Sequence, residues 1–567
     1  MKIRTTIAGL AAMVAFAASG PTEELVEGEF QGWSKAVRFD TSPPLRSMEP
    51  RLTPAPPHNL EDPEAHDPAA YGPQDDDGAL QSRRPDRDMP SPLISFDGTP
   101  NVLGYTPPDS MGDVGYEHYV AMTNVYFSIY DKSGNLLYGP AANNTLWSGF
   151  GGRCEFSNDG DPIVLHDQMS NRWILTQFTA GGPDYYNCVA VSTTSDPTGS
   201  YYRYAFATAN NYFPDYPKYG VWPDALYIST REFEYIGTSG YYRGVGAYAI
   251  EREELIAGDP NPTMIEFFVP RGATPATVGD GLLPADMDGN TRPPVGSPNF
   301  YVGSMDDGAT YNAPQDALTL WEFAADFDVP ANSTFAQTAT LPTASFDSIF
   351  PCNGRDCIPQ PGTTNKVDIL SYRQRPMHRL AYRNFGTHEA LVTNQSVEAS
   401  TAIAGIRWWE IRDPGGSPVI HQEGTFGPGD TDGIHRWMGS VAMDNAGNLA
   451  LGYSASDGTA TYPSVWYAGR LATDPSGTLP QGEGSIIDGA GSQTLESRWG
   501  DYTSMNVDPS DDCTFWYINQ YMPTSHPRNW QMRIGAFKFD ECTPAAPSVF
   551  NDGFESGGAG AWSRTSP

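Results

Sequence analysis

The 567-residue chain has few basic residues. It carries 34 Lys and Arg against 68 Asp and Glu, which gives a formal net charge of −34 at pH 7. Proteins bind nucleic acid by neutralising phosphates with Lys and Arg, so this balance excludes a nucleic-acid partner. Most of the basic residues are arginine. Arg is therefore the side chain suited to holding a carboxylate group.

Long apolar runs are also scarce. The chain starts with a basic segment, Met1 to Arg4, followed by an apolar run over residues 7–18 that contains a cleavage-like Ala-Phe-Ala at 15–17. This pattern is typical of a secretory signal peptide, which we predict over residues 1–18. No later run approaches the roughly 20 residues of a membrane helix. We expect a secreted protein, extracellular, periplasmic or at the cell surface, with no transmembrane segment.

Several catalytic motifs are missing. The sequence has no Gly-x-Ser-x-Gly elbow, no Walker loop, no His-Glu-x-x-His and no haem-attachment motif. Cysteine is limited to 6 residues, none of them in a Cys-x-x-Cys pair. In an exported chain, an even number of cysteines indicates structural disulfides rather than a metal or catalytic cysteine site.

Aromatic and turn-forming residues are abundant, with 30 Tyr, 26 Phe, 13 Trp, 58 Gly and 50 Pro. Aromatic side chains suit strands, while Gly and Pro end them, so the composition predicts an all-β protein with many short strands. Residues 19–92 differ, because they are rich in Pro, Asp and Glu and have few apolar patterns. We predict a mostly irregular, acidic leader there that lies partly on the domain surface, and Phe30 to Trp33 would dock.

A repeat near the end of the chain gives the architecture. Arg436-Trp437 and Arg498-Trp499 are each followed by five residues, a Met and a turn, and the two arginines are 62 residues apart. This offset is close to one four-stranded propeller blade with generous loops. Similar blade openings stand near Gly112, Gly160, Asp215, Pro298 and Met377.

We therefore predict a seven-bladed β-propeller of four-stranded antiparallel blades over residues 93–543. The strand Leu93 to Phe96 would complete the last sheet and so close the ring. This interpretation favours disulfides between cysteines that are close in sequence. The predicted pairs are Cys154 with Cys188, Cys352 with Cys357, and Cys513 with Cys542.

Residues 544–567 form a predicted C-terminal tail. Its stretch from Phe550 to Trp562 resembles a short ending found on many exported bacterial proteins. The tail is either a sorting or processing tag or the truncated start of another module, and the sequence leaves both open.

Four motifs in combination resemble a known family. They are Pro107 to Gly115, Asn158 to Pro162, Asp215 to Asp224, and Arg498 to Tyr502. Together they resemble large exported bacterial proteins with sialidase-like β-propellers, over residues 90–543. Ser304 to Tyr311 also matches the Asp-box pattern Ser-x-Asp-x-Gly-x-Thr-Trp, with Tyr replacing Trp. The resemblance implies a propeller and export, whereas the family has no settled activity.

Three arginines are candidates for substrate binding. In a propeller, the residues that lead into the innermost strand of each blade converge on the central channel, and Arg379, Arg436 and Arg498 stand there in three successive blades. Sialidases hold a substrate carboxylate with three arginines, so the resemblance implies that role here. Asp501 and His388 are further substrate-binding candidates. The alternative is that each Arg caps its strand by bonding a neighbouring Asp or the backbone.

The same resemblance implies catalytic residues. Tyr502 would be the nucleophile and Glu389 its activating carboxylate, while Asp113 or Asp161 would act as the acid.

Histidines offer a second constellation. His118, His388 and His435 stand at or near the starts of predicted blades. With Tyr they would supply a base and an acid for β-elimination of a uronate polysaccharide, and Arg would neutralise the uronate. Each histidine alone also fits a packed or surface position.

Two acidic loops suggest a structural Ca²⁺, although no cofactor is required. Asp159 in one loop, and Asp286 and Asp288 in the other, give alternating oxygen ligands next to a glycine. Neither loop continues into an EF-hand, and short Asp, Asn and Gly runs are also ordinary turns.

The leading expectation is a secreted sialidase-like β-propeller of the glycoside hydrolase type that acts on extracellular, acidic glycans. The alternatives are a non-catalytic propeller that binds glycans or proteins at the cell surface, and a uronate polysaccharide lyase. We expect a monomer. The fold alone cannot choose between these functions, because propellers host all of them.

Overall fold

A computed structural model describes residues 25–52, 76–182, 184–237, 239–271, 281–308, 313–348, 352, 355–369 and 375–544. The predicted signal peptide and the C-terminal stretch from Phe550 to Trp562 lie outside the described residues. Within them the chain is nearly all β, as the sequence predicts.

The strands and helices follow in chain order. Strands of the leader and the segment after it are β1 (Glu29–Lys35), β2 (Arg38–Thr41), β3 (Leu80–Gln81) and β4 (Ile94–Pro100). The next strands are β5 (Met111–Val114), β6 (His118–Thr123), β7 (Tyr126–Asp131), β8 (Leu136–Ala142), β9 (Val164–Asp167), β10 (Arg172–Phe178), β11 (Tyr186–Ser192), β12 (Tyr201–Ala207), β13 (Phe213–Val221), β14 (Ala225–Ile236), β15 (Ser239–Glu251) and β16 (Thr263–Pro270).

The remaining strands are β17 (Leu283–Asp288), β18 (Asn299–Met305), β19 (Ala317–Ala324), β20 (Thr334–Pro342), β21 (Asp356–Ile358), β22 (Val367–Asp368), β23 (Met377–Asn384), β24 (Glu389–Ser400), β25 (Ile403–Arg412), β26 (Val419–Phe426), β27 (His435–Met443), β28 (Leu449–Ser456), β29 (Ser464–Arg470), β30 (Glu483–Ile487), β31 (Ser504–Val507), β32 (Phe515–Tyr521) and β33 (Gln531–Phe537). Short α-helices in the described ranges are α1 (Arg153–Phe156), α2 (Arg252–Ala257) and α3 (Gly429–Asp432).

Most sheets are built from four antiparallel strands that follow one another in the chain. These sets are β5 to β8, β9 to β12, β13 to β16, β17 to β20, β23 to β26, and β27 to β30. The first strands β17 and β23 also pair in parallel over Ala285 to Asp288, which joins their two sets into one larger sheet.

The last sheet is completed from the other end of the chain. β31, β32 and β33 supply three strands, and β4 pairs antiparallel with β33 as the fourth. The prediction that the segment beginning at Leu93 completes the last sheet is therefore confirmed. The pairing also covers an edge strand that would otherwise expose unpaired backbone groups.

The first strands of the sheets lie in a closed circle. Going around it, β5 contacts β9, which is followed by β13, β17, β23, β27 and β31, and β31 contacts β5 again. Side chains link neighbouring first strands. Asp113 on β5 accepts a hydrogen bond from the backbone N–H of His166 on β9 (2.6 Å), and Asp286 on β17 accepts one from that of Val221 on β13 (3.0 Å).

The leader contributes strands rather than only irregular chain. β1 pairs with β16, β2 with β12, and β3 with β26, so each adds to the outer edge of a sheet. The stretch Phe30 to Trp33 docks within β1, as predicted. The rest of the leader differs from expectation because outer strands offer free backbone groups that an extended acidic segment can pair with, without a core of its own.

The three disulfides are Cys154–Cys188, Cys352–Cys357 and Cys513–Cys542, as predicted. The aromatic residues fill the space between sheets. Trp437 and Trp499 of the repeated Arg-Trp motif are fully buried, with ring centroids 6.1 Å apart. In the described part of the chain, no helix has both the length and the apolar character needed to cross a membrane.

Candidate active site

Five of the first strands have a residue of unusual backbone conformation at or near their starts. Asp109, Asp161, Tyr216, Met438 and Asp501 have φ values of 49°, 43°, 51°, 56° and 69°, in the left-handed region. Each residue lies just before or near the beginning of a first strand. Left-handed non-glycine residues cost about 1–3 kcal/mol each and cluster at functional sites, where the surrounding structure enforces them. This end of the circle is therefore the candidate active site.

A bulge in β13 sets the position of two of the central side chains. The pairing with β14 slips between Asp215 and Lys218, so Tyr216 and Pro217 form the extra residues. Pro217 fits there because a bulged residue needs no ladder hydrogen bond. A bulge redirects side chains relative to the usual alternation. As a result, Tyr216 and Lys218 both meet Tyr502 from the last sheet.

Lys218 lies in the corner between two tyrosine rings. Its Nζ is 3.4 Å from the ring centroid of Tyr216 and 3.8 Å from that of Tyr502, and the two rings are perpendicular with centroids 5.4 Å apart. The Lys218 residue is only 2% exposed. Burial lowers the pKa of Lys218 to about 7, against the opposing effect of Asp161 and with the help of Arg375. A neutral amine is therefore accessible near physiological pH.

Two carboxyl groups next to this lysine share a hydrogen bond. Burial and the neighbouring Asp161 raise the pKa of Asp109 well above its usual range. Burial and the neighbouring Asp215 raise the pKa of Asp161 to about 7. Two carboxyl groups in contact cannot both ionise easily. Asp109 therefore keeps its proton and donates a hydrogen bond to Asp161. The site is thus less negative than its acidic residues suggest.

Several buried polar atoms at this end of the circle have no hydrogen-bond partner among the residues that the structure describes. They are the hydroxyl of Tyr502, Nε2 of His378, Oγ of Ser110 and Nε2 of Gln520. Burial and the nearby Lys218 lower the pKa of His378 well below its usual range, so its ring is neutral. Leaving such a group unsatisfied costs about 1–3 kcal/mol, and it is explained by a site that receives water or a ligand.

The cluster reaches solvent at its rim. Asp161 is partly exposed, and the side chains of Asp215 and Arg498 are each 29% exposed. Arg498 binds Asp501, and its Nε lies 3.5 Å from Asp368 Oδ2. The partly exposed side chains of Asp161, Asp215 and Arg498 therefore lie at the solvent side of the buried group formed by Lys218 and the two tyrosines.

Of the residues predicted for the site, four come together here: Tyr502, Asp161, Arg498 and Asp501. Tyr216 donates its hydroxyl hydrogen to the backbone carbonyl of Asp501 (3.0 Å), which ties the last sheet to β13. Burial and the nearby Asp161 raise the pKa of Tyr502 well above its usual range. Tyr502 is thus a neutral phenol and a proton donor, which does not suit the role of an ionised nucleophile.

Arg379 is held by two carboxylates of the neighbouring first strand. Its Nη2 lies 2.7 Å from Asp286 Oδ2 and its Nη1 lies 2.7 Å from Asp288 Oδ2, and all three side chains are buried. This is the strand-capping alternative for Arg379. It also corrects the predicted Ca²⁺ site, because a guanidinium already neutralises Asp286 and Asp288. Asp159, the other metal candidate, accepts a hydrogen bond from the backbone N–H of Ala180 (2.7 Å).

Arg436 is saturated in the same way. Its guanidinium nitrogens donate to Glu483 Oε1 and Oε2, to both oxygens of Asp432, and to the carbonyl of Ile434, at 2.7–3.3 Å. An arginine has five N–H donors, and these five bonds occupy them. Arg436 is therefore not available to share a substrate carboxylate with Arg498, which corrects the predicted three-arginine arrangement.

Glu389 and Asp113 also have structural partners. Glu389 accepts the hydroxyl hydrogen of Tyr382, close by in the same sheet, rather than that of Tyr502. Asp113 accepts hydrogen bonds from the backbone N–H groups of Val114 (2.7 Å) and of β9. Burial and the neighbouring Asp286 raise its pKa well above the usual range. These contacts correct the predicted pairing of Tyr502 with Glu389.

The predicted histidines have local contacts. His435 Nδ1 accepts a hydrogen bond from the backbone N–H of Ala404 (3.2 Å), and burial and Lys366 lower its pKa to about 4. His388 lies in the turn between β23 and β24, stacked on Phe385 and 3.0 Å from the Thr387 hydroxyl. His378, which the sequence analysis did not single out, is the histidine beside Lys218.

The described part of the Asp-box stretch forms no separate site. Asp306, Asp307 and Asp316 lie close together, but Asp306 accepts hydrogen bonds from the backbone N–H groups of Gly308 and Ser348, and Asp316 from those of Asp307 and Phe346. These bonds make the cluster a brace for the connection after β18.

Sequence reasoning missed Lys218, Tyr216, Asp109, Arg375 and His378 as site residues. The available signal was the alignment of the blade openings, since Asp109, Tyr216 and His378 stand near the starts of first strands. The sequence analysis took only arginines and histidines from these positions, although the same geometry brings any side chain there to the centre.

Comparisons with known proteins add little to this site. The sequence matches no protein-family model and none of the curated proteins. Among solved structures it is similar to an α-L-arabinanase from Penicillium chrysogenum, with 9% identity, 81% of this chain and 100% of that chain covered, and a TM-score of 0.33.

Two further structures show the same degree of likeness. An endo-arabinase from Bacteroides thetaiotaomicron has 10% identity, coverage of 68% of this chain and 95% of that chain, and a TM-score of 0.27. A polysaccharide lyase, Uly1, has 10% identity, coverage of 81% and 100%, and a TM-score of 0.33. These low values carry no argument about the reaction, which depends on the residues of this chain.

Proposed function

We propose that the chain is an exported, seven-bladed β-propeller enzyme that acts on acidic extracellular glycans by β-elimination. The observation that carries the proposal is the buried Lys218 between the rings of Tyr216 and Tyr502, beside a pair of carboxyl groups that share a proton. Buried groups with strongly shifted pKa values, grouped in an accessible cleft, are characteristic of catalytic sites. The circle of first strands and the completed last sheet support seven blades, and the three disulfides support export.

In this reaction, Lys218 is the base. Its neutral amine takes the proton from the ring carbon that bears the uronate carboxyl group, and the electron pair forms a carbon–carbon double bond. The bond to the leaving glycosidic oxygen breaks, and the Tyr502 hydroxyl gives that oxygen its proton. A base with a pKa near the working pH and an acid that stays protonated are what general acid–base catalysis needs.

An anionic substrate can approach this acidic region for two reasons. Asp109 carries a proton and Asp161 titrates near neutrality, so neither fully repels a uronate. Arg498 stands partly exposed at the rim, where its planar fork suits a carboxylate. Arg498 is therefore the proposed substrate-binding residue, and Asp501 orients it through their ion pair.

Hydrolysis is the second candidate. Asp161 is partly exposed and its pKa is raised to about 7, which suits a general acid that protonates a leaving glycosidic oxygen. The hydrogen bond between Asp109 and Asp161 leaves no room for water between these two groups. Two-carboxylate hydrolysis requires carboxyl groups about 5 Å or more apart. This pair therefore does not fit a two-carboxylate hydrolysis.

The test is an assay of the purified protein on polyuronates, sialosides and neutral glycans. We expect absorbance from unsaturated ends on polyuronates, and its loss in Lys218→Met and Tyr502→Phe. Lys132→Met is the matched control, because Lys132 is a lysine paired with Asp508. New reducing ends without unsaturation, abolished by Asp161→Asn, would establish hydrolysis. Glycan binding without any bond cleavage would show a binding propeller and refute catalysis.

A further inference from the structure

Two cations are held against the ring of Tyr216. Lys218 Nζ is 3.4 Å from the ring centroid, and Arg375 Cζ is 3.6 Å from the same centroid. Two such groups on one face would occupy the same space. Arg375 and Lys218 therefore lie on opposite faces of the ring, and Tyr216 separates them.

The three side chains of this stack are almost fully buried. Arg375 and Lys218 are each 2% exposed, and Tyr216 is 6% exposed. The hydroxyl of Tyr216 is fixed on the carbonyl of Asp501, and its backbone is part of the β13 bulge. Each cation gains from the negative face of the ring, an attraction that reaches about 2 kcal/mol or more when the cation is desolvated. The distance between the two charges is thus set by a rigid spacer.

The other groups that face Lys218 include three acids. Asp109 and Asp161 share a hydrogen bond, while Asp215 faces both Arg231, at 3.2 Å, and Arg375. The remaining neighbours are neutral: the His378 ring, the Tyr216 ring and the Tyr502 ring. The guanidinium of Arg375 is the permanent positive charge on this list, because Arg does not lose its proton in proteins.

We infer that Arg375 is a positioning residue for Lys218: from the far face of the Tyr216 ring, it keeps a fixed positive charge near the amine and so favours the form of Lys218 that can accept a proton. This inference rests on the proposed function for its catalytic meaning. The effect on Lys218 itself is a property of the folded protein, and it is measurable without any substrate.

The inference explains why a buried lysine and a buried arginine share one ring. Lys218 alone in this place would be neutralised or stabilised by whichever carboxylates ionise nearby. With Arg375 opposite, the lysine is the cation that yields its proton first, since a nearby like charge disfavours the charged form. Arg375 does not itself touch the reacting atoms, so its influence passes through Lys218.

The experiment compares wild type with Arg375→Gln and Arg375→Lys. The pH titration of Lys218 is followed by NMR of protein that carries isotope-labelled lysine, and Lys218→Met assigns the signal. In Arg375→Gln we expect the Lys218 pKa to rise by about one unit or more, because a neighbouring positive charge is lost. In Arg375→Lys we expect it to stay close to the wild-type value, because the charge remains. The same shift should appear in the acidic limb of kcat/KM against pH.

The outcomes separate the two proposals. A raised Lys218 pKa in a protein inactive on every glycan would support the positioning role and refute the proposed function. An unchanged Lys218 pKa in folded Arg375→Gln would overturn the positioning role, whatever the activity. Should the Gln variant not fold, Arg375→Met carries the test, because it also removes the positive charge, and the Lys218 pKa is expected to rise in the same way. An unchanged Lys218 pKa in that variant would overturn the inference.

Discussion

Two regions of the circle of first strands use buried cations in opposite ways. On β23, Arg379 meets Asp286 and Asp288, so each positive charge faces negative ones at hydrogen-bond distance. At the bulge of β13, Lys218 and Arg375 both lie against the ring of Tyr216. Asp109 and Asp161, beside Lys218, share a hydrogen bond with each other. The first arrangement stabilises the charged forms of the arginine and the two carboxylates. The second leaves Lys218 and the Asp109–Asp161 pair able to gain or lose a proton near neutral pH.

The difference shows why burial alone does not identify a catalytic group. Arg379, Arg436 and Lys218 are all almost fully buried. The arginines have their donors occupied by carboxylates, and they therefore act as structural links. Lys218 has aromatic neighbours and one backbone acceptor, the carbonyl of Pro217 (2.9 Å), so its charged form is poorly compensated.

The largest effect on activity is expected at Lys218. We expect Lys218→Met to lower kcat on a polyuronate about 100-fold to 10,000-fold, the usual contribution of a general base. Thermal unfolding should show that the variant is folded, because removing a poorly compensated buried charge does not leave a paired carboxylate behind. Activity retained within a few-fold would remove Lys218 from the mechanism.

At the ion pairs of β23, Arg379→Met should lower the stability of the protein. Removing Arg379 leaves Asp286 and Asp288 buried without their cation, which costs about 3–5 kcal/mol of unfolding free energy. Denaturant unfolding at several pH values measures it. Unpaired buried carboxyls have folded-state pKa values above those of the unfolded chain, so the deficit should shrink as pH falls from 8 to 5. A deficit that grows toward low pH would contradict the ion-pair explanation.

The disulfide Cys513–Cys542 lies next to another ion pair of β23. Cys513 follows Asp512, which binds Arg383 of β23 at 2.8 Å, and it pairs with Cys542. We expect the double variant Cys513→Ser, Cys542→Ser to lose about 2–4 kcal/mol of stability. Its activity at room temperature should remain, since none of the proposed catalytic or substrate-binding residues lies in the bridged loop. Lost activity in a still-folded protein would argue against the division into two regions.

The smallest effect is expected at Glu389. In Glu389→Gln the hydrogen bond with Tyr382 weakens, which should cost about 1 kcal/mol, and kcat should not change. Differential scanning calorimetry and the polyuronate assay check both parts. A large loss of kcat would return Glu389 to the catalytic site and would break the contrast drawn above.

The sequence predicted that the blade openings converge, but it predicted only some of the residues that form the site. The Arg-Trp repeat and the Gly-Asp openings locate the first strands, and Tyr502, Asp161, Arg498 and Asp501 follow from that placement. The choice among arginines failed because a sequence does not show which acid lies one strand away. Asp286 and Arg379 are 93 residues apart in the chain, yet they lie on paired first strands.

The sequence by itself determined the all-β character, the position of the closing strand and the three disulfides, because these depend on local strand and turn preferences and on the period of the repeat. Tertiary structure alone decided which charges are neutralised and which can give up a proton. That decision rests on burial and on the nearest neighbours of each group, as the bulge of β13 shows. It turns Lys218 towards two aromatic rings and away from a carboxylate partner.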